Sequence, residues 1–191
     1  MKRLGKLFII SGTSQVGKSA VARALQRDRK LHITNIRTNT TRPRRSEDKR
    51  SRQYHFHSPQ EFKRLRRQGE LLEWAKVHAY YYGTPRAAVA RALKRGRNVT
   101  LVIDVQGARQ VKRLMPQAIT IFITAESAAE IKRRIMNSPH IPAGQKAARW
   151  RSAQQELKAM KKYDYIVINR WGKLADAARR VGSIIKKRAN A

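Results

Sequence analysis

The stretch GTSQVGKSA, residues 12–20, fits the pattern Gly-x-x-x-x-Gly-Lys-Ser/Thr and restricts the chain more than any other. Gly12 and Gly17 let the backbone turn its amides inward around phosphate oxygens, at a helix N-terminus whose dipole adds to the attraction. Lys18 would reach the β- and γ-phosphates of a nucleotide, and the Ser19 hydroxyl would bind Mg²⁺. The motif needs a strand before it and a helix after it. KLFIIS, 6–11, is short and β-branched, as suits a buried parallel strand, and GKSAVARALQRD, 17–28, carries Val21, Ala24 and Leu25 at helical spacing. Gln15 and Val16 are bulkier than the small residues that often stand there, so a crowded loop is expected.

The rhythm continues downstream. HITNIR (32–37) reads as a strand, Thr38 to Arg52 as a cationic loop without periodicity, and QYHFH (53–57) as a short strand. SPQEFKRLRRQGE offers an N-cap Ser, a Pro at the first helical position and a Gly stop. LLEWAKVHAYYYG (71–83) reads as one aromatic strand and TPRAAVARALKRG as a helix. NVTLVIDVQG (98–107) and AITIFIT (118–124) read as core strands, with Asp104 near the end of the first. A helix is predicted over about 127–136, a loop over 137–145, a long helix over about 146–162, then strand DYIVIN and a C-terminal helix. Strands alternating with helices predict an α/β fold with a parallel central sheet, and 38–84 interrupts that rhythm as an inserted lobe.

Charge is the odd feature: 44 Lys+Arg against 12 Asp+Glu, a net +32. Such a balance speaks of polyanionic partners rather than of fold, although bias spread along a chain is equally the mark of a basic lineage. RNA would bind such a surface by counterion release, and Trp150 or Trp171 would stack on bases, or else lie buried in the core or at a hinge. With no cysteine, disulfides, thiolate zinc sites and a thiol nucleophile are excluded. No apolar run approaches a membrane span, and cleavage after the apolar N-terminal segment would destroy the phosphate motif, so a soluble cytoplasmic protein is expected.

TNTTRPRRSEDKRSRQYHF sets Arg42, Arg44 and Arg45 in a loop that ends at Tyr54. Guanidinium forks suit a phosphate monoester because each binds two oxygens at once. ELLEWAKVHAYYYGTPR then supplies Glu73, Tyr81, Tyr82 and Thr84. A carboxylate beside a hydroxyl is what a guanine edge requires, since N1–H and the 2-amino group both donate. Taken singly, each residue also fits an ordinary solvated loop or edge strand.

GTSQVGKS, TTRPRR…QYHF, LLEWAKVHAYYYGTPR and VIDVQGARQVKR, in this order and spacing, resemble the guanylate kinase family from about residue 6 to residue 169. The resemblance implies a P-loop NTPase-type parallel sheet core with helices on both faces, at about 1–37, 85–136 and 146–191. It adds a GMP-binding lobe at about 38–84 and a mobile lid at about 137–150. It implies transfer of the ATP γ-phosphoryl group to GMP with Mg²⁺. By resemblance, Arg42, Arg45, Tyr54 and Tyr82 hold the GMP phosphate, and Thr38, Glu73, Thr84 and Asp104 read the guanine. Gly12, Thr13, Ser14, Gln15, Val16, Gly17, Lys18, Ser19 and Ala20 hold the ATP phosphates, Ser19 the metal. Arg134 and Arg149 are implied as lid arginines closing over the transferring phosphate, with Lys18 and Arg42 completing the catalytic set, and Asn169 as an adenine-side contact.

The chain departs from the family pattern at three places. Val102 stands where a carboxylate is usual, Ser138 where a lid arginine is common, and Arg170 where an acid is familiar. The first two remove charged groups that assist phosphoryl transfer, which implies reduced activity. The alternative reading is a guanylate-kinase-like protein with weak or no catalysis that serves as an RNA- or ribonucleoprotein-binding subunit. A related kinase acting on a ribose phosphate is disfavoured by Glu73 and Thr84.

Overall fold

LFIISG has no exposed residue, and the strand it forms, β1 (Leu7–Gly12), is the middle of the central sheet. The computed structural model describes residues 3–44, 48 and 53–190. β2 (Ile33–Asn35), β7 (Asn98–Val102), β8 (Ile119–Thr124) and β9 (Tyr165–Ile168) complete a five-stranded parallel sheet in the order β2-β7-β1-β8-β9. Period-two alternation along β1 sends Phe8 and Ile10 to one face and Leu7 and Ile9 to the other, and each pair belongs to a separate buried cluster. Helices α1 (Lys18–Arg27), α5 (Ala128–Met136), α6 (Ala143–Ala159) and α7 (Leu174–Asn190) cover the first face. Helices α3 (Arg86–Lys94) and α4 (Val105–Leu114) cover the second. Fully buried side chains such as Phe8, Ile121 and Ile131 contribute about 1.5–3 kcal/mol each. This is the expected α/β architecture.

Residues 38–85 build a second sheet, ordered β4-β3-β6-β5, from β3 (Thr38–Thr40), β4 (Tyr54–Phe56), β5 (Leu71–Val77) and β6 (Tyr80–Pro85). Helix α2 (Pro59–Arg67) opens with the Ser58–Glu61 capping box and buries Phe62, which stacks on Tyr81. Among the described residues no helix is long and apolar enough to cross a membrane.

Several local expectations change. Thr38–Thr40 is a strand and not loop, because pairing with β4 on one side and β6 on the other overrides its polarity: Thr40 Oγ1 and the Thr41 amide both donate to the Tyr81 carbonyl. LLEWAKVHAYYYG is a hairpin, turned at His78, whose φ of 55° is left-handed. The strand drawn over 98–107 stops at Val102. Asp104 caps a helix that sequence reading missed, its side chain accepting from the Gly107 amide. Gly107 in the first turn disguised α4 as a strand end. The long helix begins at Ala143, inside the segment expected to be loop.

Candidate active site

Gly12 is the last residue of β1, with φ 140°, and a Cβ there would lie 2.0 Å from the Ile123 carbonyl oxygen of β8. Only glycine lets the chain leave the sheet so close to its neighbour. The loop then closes on Gly17, the N-cap of α1. Val16 does not crowd it: its side chain is fully buried in the core beneath, while Gln15 is exposed. Lys18 folds back over the loop, its Nζ donating to the carbonyls of Gly12 at 2.7 Å and Thr13 at 2.6 Å. Burial lowers its pKa, against an opposing pull from Glu156 and Asp104.

A cleft of about 980 Å³ runs from Lys18 and Ser19 to the second sheet. On its far wall Glu73 is 3% exposed and accepts from Thr84 Oγ1 at 2.6 Å. Burial, with a further push from Asp104, raises the Glu73 carboxyl to about 7, while the Thr84 hydrogen bond resists. Gln110 of α4 fixes β5 here, its amide donating to the Trp74 carbonyl at 2.7 Å and accepting from the Trp74 amide at 3.3 Å. Asp104 accepts from the Gly107 amide at 2.8 Å and from Gln106 Nε2 at 3.1 Å, and burial raises its pKa.

Arg42 is 7% exposed and pairs with Asp48 at 2.8 Å, beneath the Tyr54 ring whose centroid lies 5.2 Å from the guanidinium carbon. Tyr82 meets Tyr54 edge-on at 6.2 Å. Thr38, Arg42, Tyr54, Tyr82 and Arg149 all line the cleft, and Arg149 of α6 faces His78 of the hairpin turn closely enough to depress its pKa after burial does so. Arg45 lies outside the described residues.

Arg134 and Asn169 line a separate cavity of about 190 Å³ behind Gly17. Arg134 donates to Glu130 at 2.7 Å and to the Asn169 carbonyl at 2.9 Å, and Asn169 Nδ2 donates to the Val16 carbonyl at 2.8 Å. Of the departures, Val102 is half-buried at the cleft wall and Ser138 is 6% exposed. Arg170 pairs with Glu126 at 3.1 Å. Trp171 is 67% exposed rather than buried.

Sequence reading missed Glu156. It lines the cleft from α6, receives the Ser14 amide, and interacts with both Lys18 and Asp104. Its signal was present: it is the sole acidic residue of α6, in a chain poor in acids.

A family model described as guanylate kinase matches residues 4–188. The guanylate kinase of Caldanaerobacter subterraneus subsp. tengcongensis is 40% identical over 172 residues, covering 88% of this chain and 82% of the relative. That of Syntrophomonas wolfei is 38% identical over 188 residues, covering 97% and 93%. A crystal structure of guanylate kinase from Anaplasma phagocytophilum superposes with a TM-score of 0.80 at 29% identity, covering 99% of this chain and 88% of that one.

Proposed function

From the premise that this chain belongs to the guanylate kinase family, and so to the nucleoside monophosphate kinases, we propose that it transfers the ATP γ-phosphoryl group to GMP, giving ADP and GDP. The observation that carries this reading is one cleft with Lys18 of the phosphate loop on one side and the buried Glu73–Thr84 pair on the other. Guanine donates from N1 and from its 2-amino group, so an acceptor-only carboxylate oriented by a hydroxyl suits it. Thr38 and Asp104 complete that edge. The phosphate of GMP goes to Arg42, Arg45, Tyr54 and Tyr82, where an aromatic-backed guanidinium binds two oxygens.

The acceptor phosphate is already largely ionised at neutral pH, so no side chain need remove a proton. One of its oxygens forms the new bond to the γ-phosphorus, the bond from that phosphorus to the β–γ bridging oxygen breaks, and ADP leaves with the electron pair. The protein's part is alignment and neutralisation of charge. Lys18 and the loop amides from Gly12 to Ala20 hold the donor phosphates. Arg134 and Arg149 act on the transferring group, and Asn169 serves the adenine side. We assign the acceptor to a lobe at about 38–84 and closure to a lid at about 137–150.

Among the described residues no cluster of three or more His, Cys, Asp or Glu could hold a metal alone. The Ser19 hydroxyl, with the Asp104 and Glu156 carboxylates beside Lys18, is an all-oxygen donor set that fits a hard cation brought in with the triphosphate. These residues would hold Mg²⁺, which would supply neutralisation of the charge that develops during transfer. A coupled assay with ATP, Mg²⁺ and GMP tests the whole reading. Turnover well above a Lys18→Ala control is expected, and turnover equal to it ends the proposal.

A second activity is favoured by the net charge of +32, which exceeds what steering two small nucleotides requires. We propose that the surface also binds RNA through its phosphates. Affinity for an RNA duplex should fall steeply, by about 10³-fold or more between roughly 50 and 200 mM salt, where six or more phosphates are neutralised. Absence of binding at low salt removes this reading without touching the first.

A further inference from the structure

Residues of the phosphate loop line two separate cavities. One is the cleft, whose far wall carries the residues assigned to the acceptor. The other is the cavity of about 190 Å³ behind Gly17, walled by Val16, Arg134, Asn169, Trp171 and Leu174. With the cleft assigned to the acceptor, the smaller cavity is open to a nucleoside whose phosphates fill the loop.

Trp171 is the most exposed large apolar side chain among the described residues, at 67%. Its indole is nevertheless held in place. The guanidinium carbons of Arg133 and Arg134 each lie 5.3 Å from the ring centroid. Arg134 is itself buried and tied to Glu130 and to the Asn169 carbonyl, while the neighbouring Arg170 is paired to Glu126. The result is a flat aromatic surface, fixed at the cavity mouth and largely uncovered.

We propose that Trp171 is the wall on which the base of the donor nucleotide stacks, and that it sets donor affinity. This rests on the phosphotransfer reading and assigns a residue that reading left without a role. Stacking tolerates any base, because every base has a π-face. Choice among bases therefore falls to Asn169, whose Nδ2 is engaged by the Val16 carbonyl and whose buried Oδ1 has no partner among the described residues. That oxygen suits an exocyclic amine, which adenine presents and guanine does not at the same ring position. Trp171 supplies affinity and Asn169 identity.

The test is steady-state kinetics and ADP titration of Trp171→Ala and Trp171→Phe. Trp171→Ala should raise KM for ATP and Kd for ADP about tenfold, equivalent to about 1.4 kcal/mol, with kcat and KM for GMP near wild type. Trp171→Phe should restore most of the affinity. ADP should change the indole emission of the wild type, of Trp74→Phe and of Trp150→Phe, and leave that of Trp171→Phe unchanged. Wild-type KM for ATP in Trp171→Ala, or an ADP response surviving in Trp171→Phe, overturns the assignment while leaving the kinase reading intact. An ADP response at Trp171 without turnover of GMP does the reverse.

Discussion

Thr84 Oγ1 donates a 2.6 Å hydrogen bond to Glu73 Oε1, joining paired positions of β5 and β6 at the inner end of the cleft. The carboxyl it holds is buried and lifted to about 7, so near neutrality the free enzyme is divided between a form that accepts from guanine and one that does not. If Glu73 reads guanine as proposed, GMP needs the ionised form. KM for GMP should therefore rise as pH falls through 7, by up to about tenfold per unit below it, while KM for ATP stays flat. A pH series of initial rates at saturating ATP reads this directly. Glu73→Ala should abolish the dependence along with selective use of GMP.

The same carboxyl makes a stability prediction of defined sign. Its folded pKa exceeds its unfolded value of 4.5. Between those values the folded state binds more protons than the unfolded one, so stability falls as pH rises across the window from 4.5 to about 7. Glu73→Gln keeps an acceptor for Thr84 and removes the buried charge. Thermal unfolding should find it level with wild type near pH 5 and more stable at pH 8, by on the order of 1–3 kcal/mol. A variant less stable than wild type at pH 8 contradicts the sign.

Gly107 is where the two walls of the proposed acceptor site touch. A Cβ there would lie 2.3 Å from Glu73 Oε2 and 3.3 Å from Asp104 Oδ1. Neither carboxylate can give way without losing its own bond to Thr84 or to the Gly107 amide. Gly107→Ala should lower stability by about 1–3 kcal/mol and raise KM for GMP, with ATP binding preserved. Calorimetry of the free protein and ADP titration separate the two effects.

Arg42 is buried against Asp48 and two aromatic rings, so its charge is already compensated before any phosphate arrives. Arg42→Lys keeps the charge and loses the planar fork. We expect kcat/KM for GMP to fall about 10²-fold, because a bidentate contact cannot be replaced by a point charge. A Lys variant as active as wild type would show that charge alone suffices at this position.

The phosphate loop was legible in sequence because its geometry is local: a buried strand, two glycines and a helix start within a dozen residues. The proposed acceptor wall was legible for a different reason, since EWAKV and YYGTPR lie in one hairpin and bring Glu73 beside Thr84 by register alone. What sequence reading missed depends on distant neighbours. Thr38–Thr40 is a strand because β4 and β6 flank it on both sides, and α4 is hidden by a glycine that packing against Glu73 demands. Glu156 reaches the phosphate loop from more than a hundred residues away, and spacing alone gives no hint of that approach.

Glu156 and Lys18 yield the last prediction. Lys18 is pulled down by burial and held up by two carboxylates, Glu156 first and Asp104 second. An uncharged Lys18 cannot stabilise the transferring phosphate, so the alkaline limb of the pH–rate profile reports its ionisation. Glu156→Gln removes the larger upward pull, and the limb should move to lower pH. Asp104→Asn should move it in the same direction by a smaller amount, on top of its own loss in GMP binding. Profiles of kcat/KM for ATP at saturating GMP separate the two. A shift to higher pH in Glu156→Gln would mean that this carboxylate competes with the nucleotide phosphates for Lys18 instead of supporting its charge.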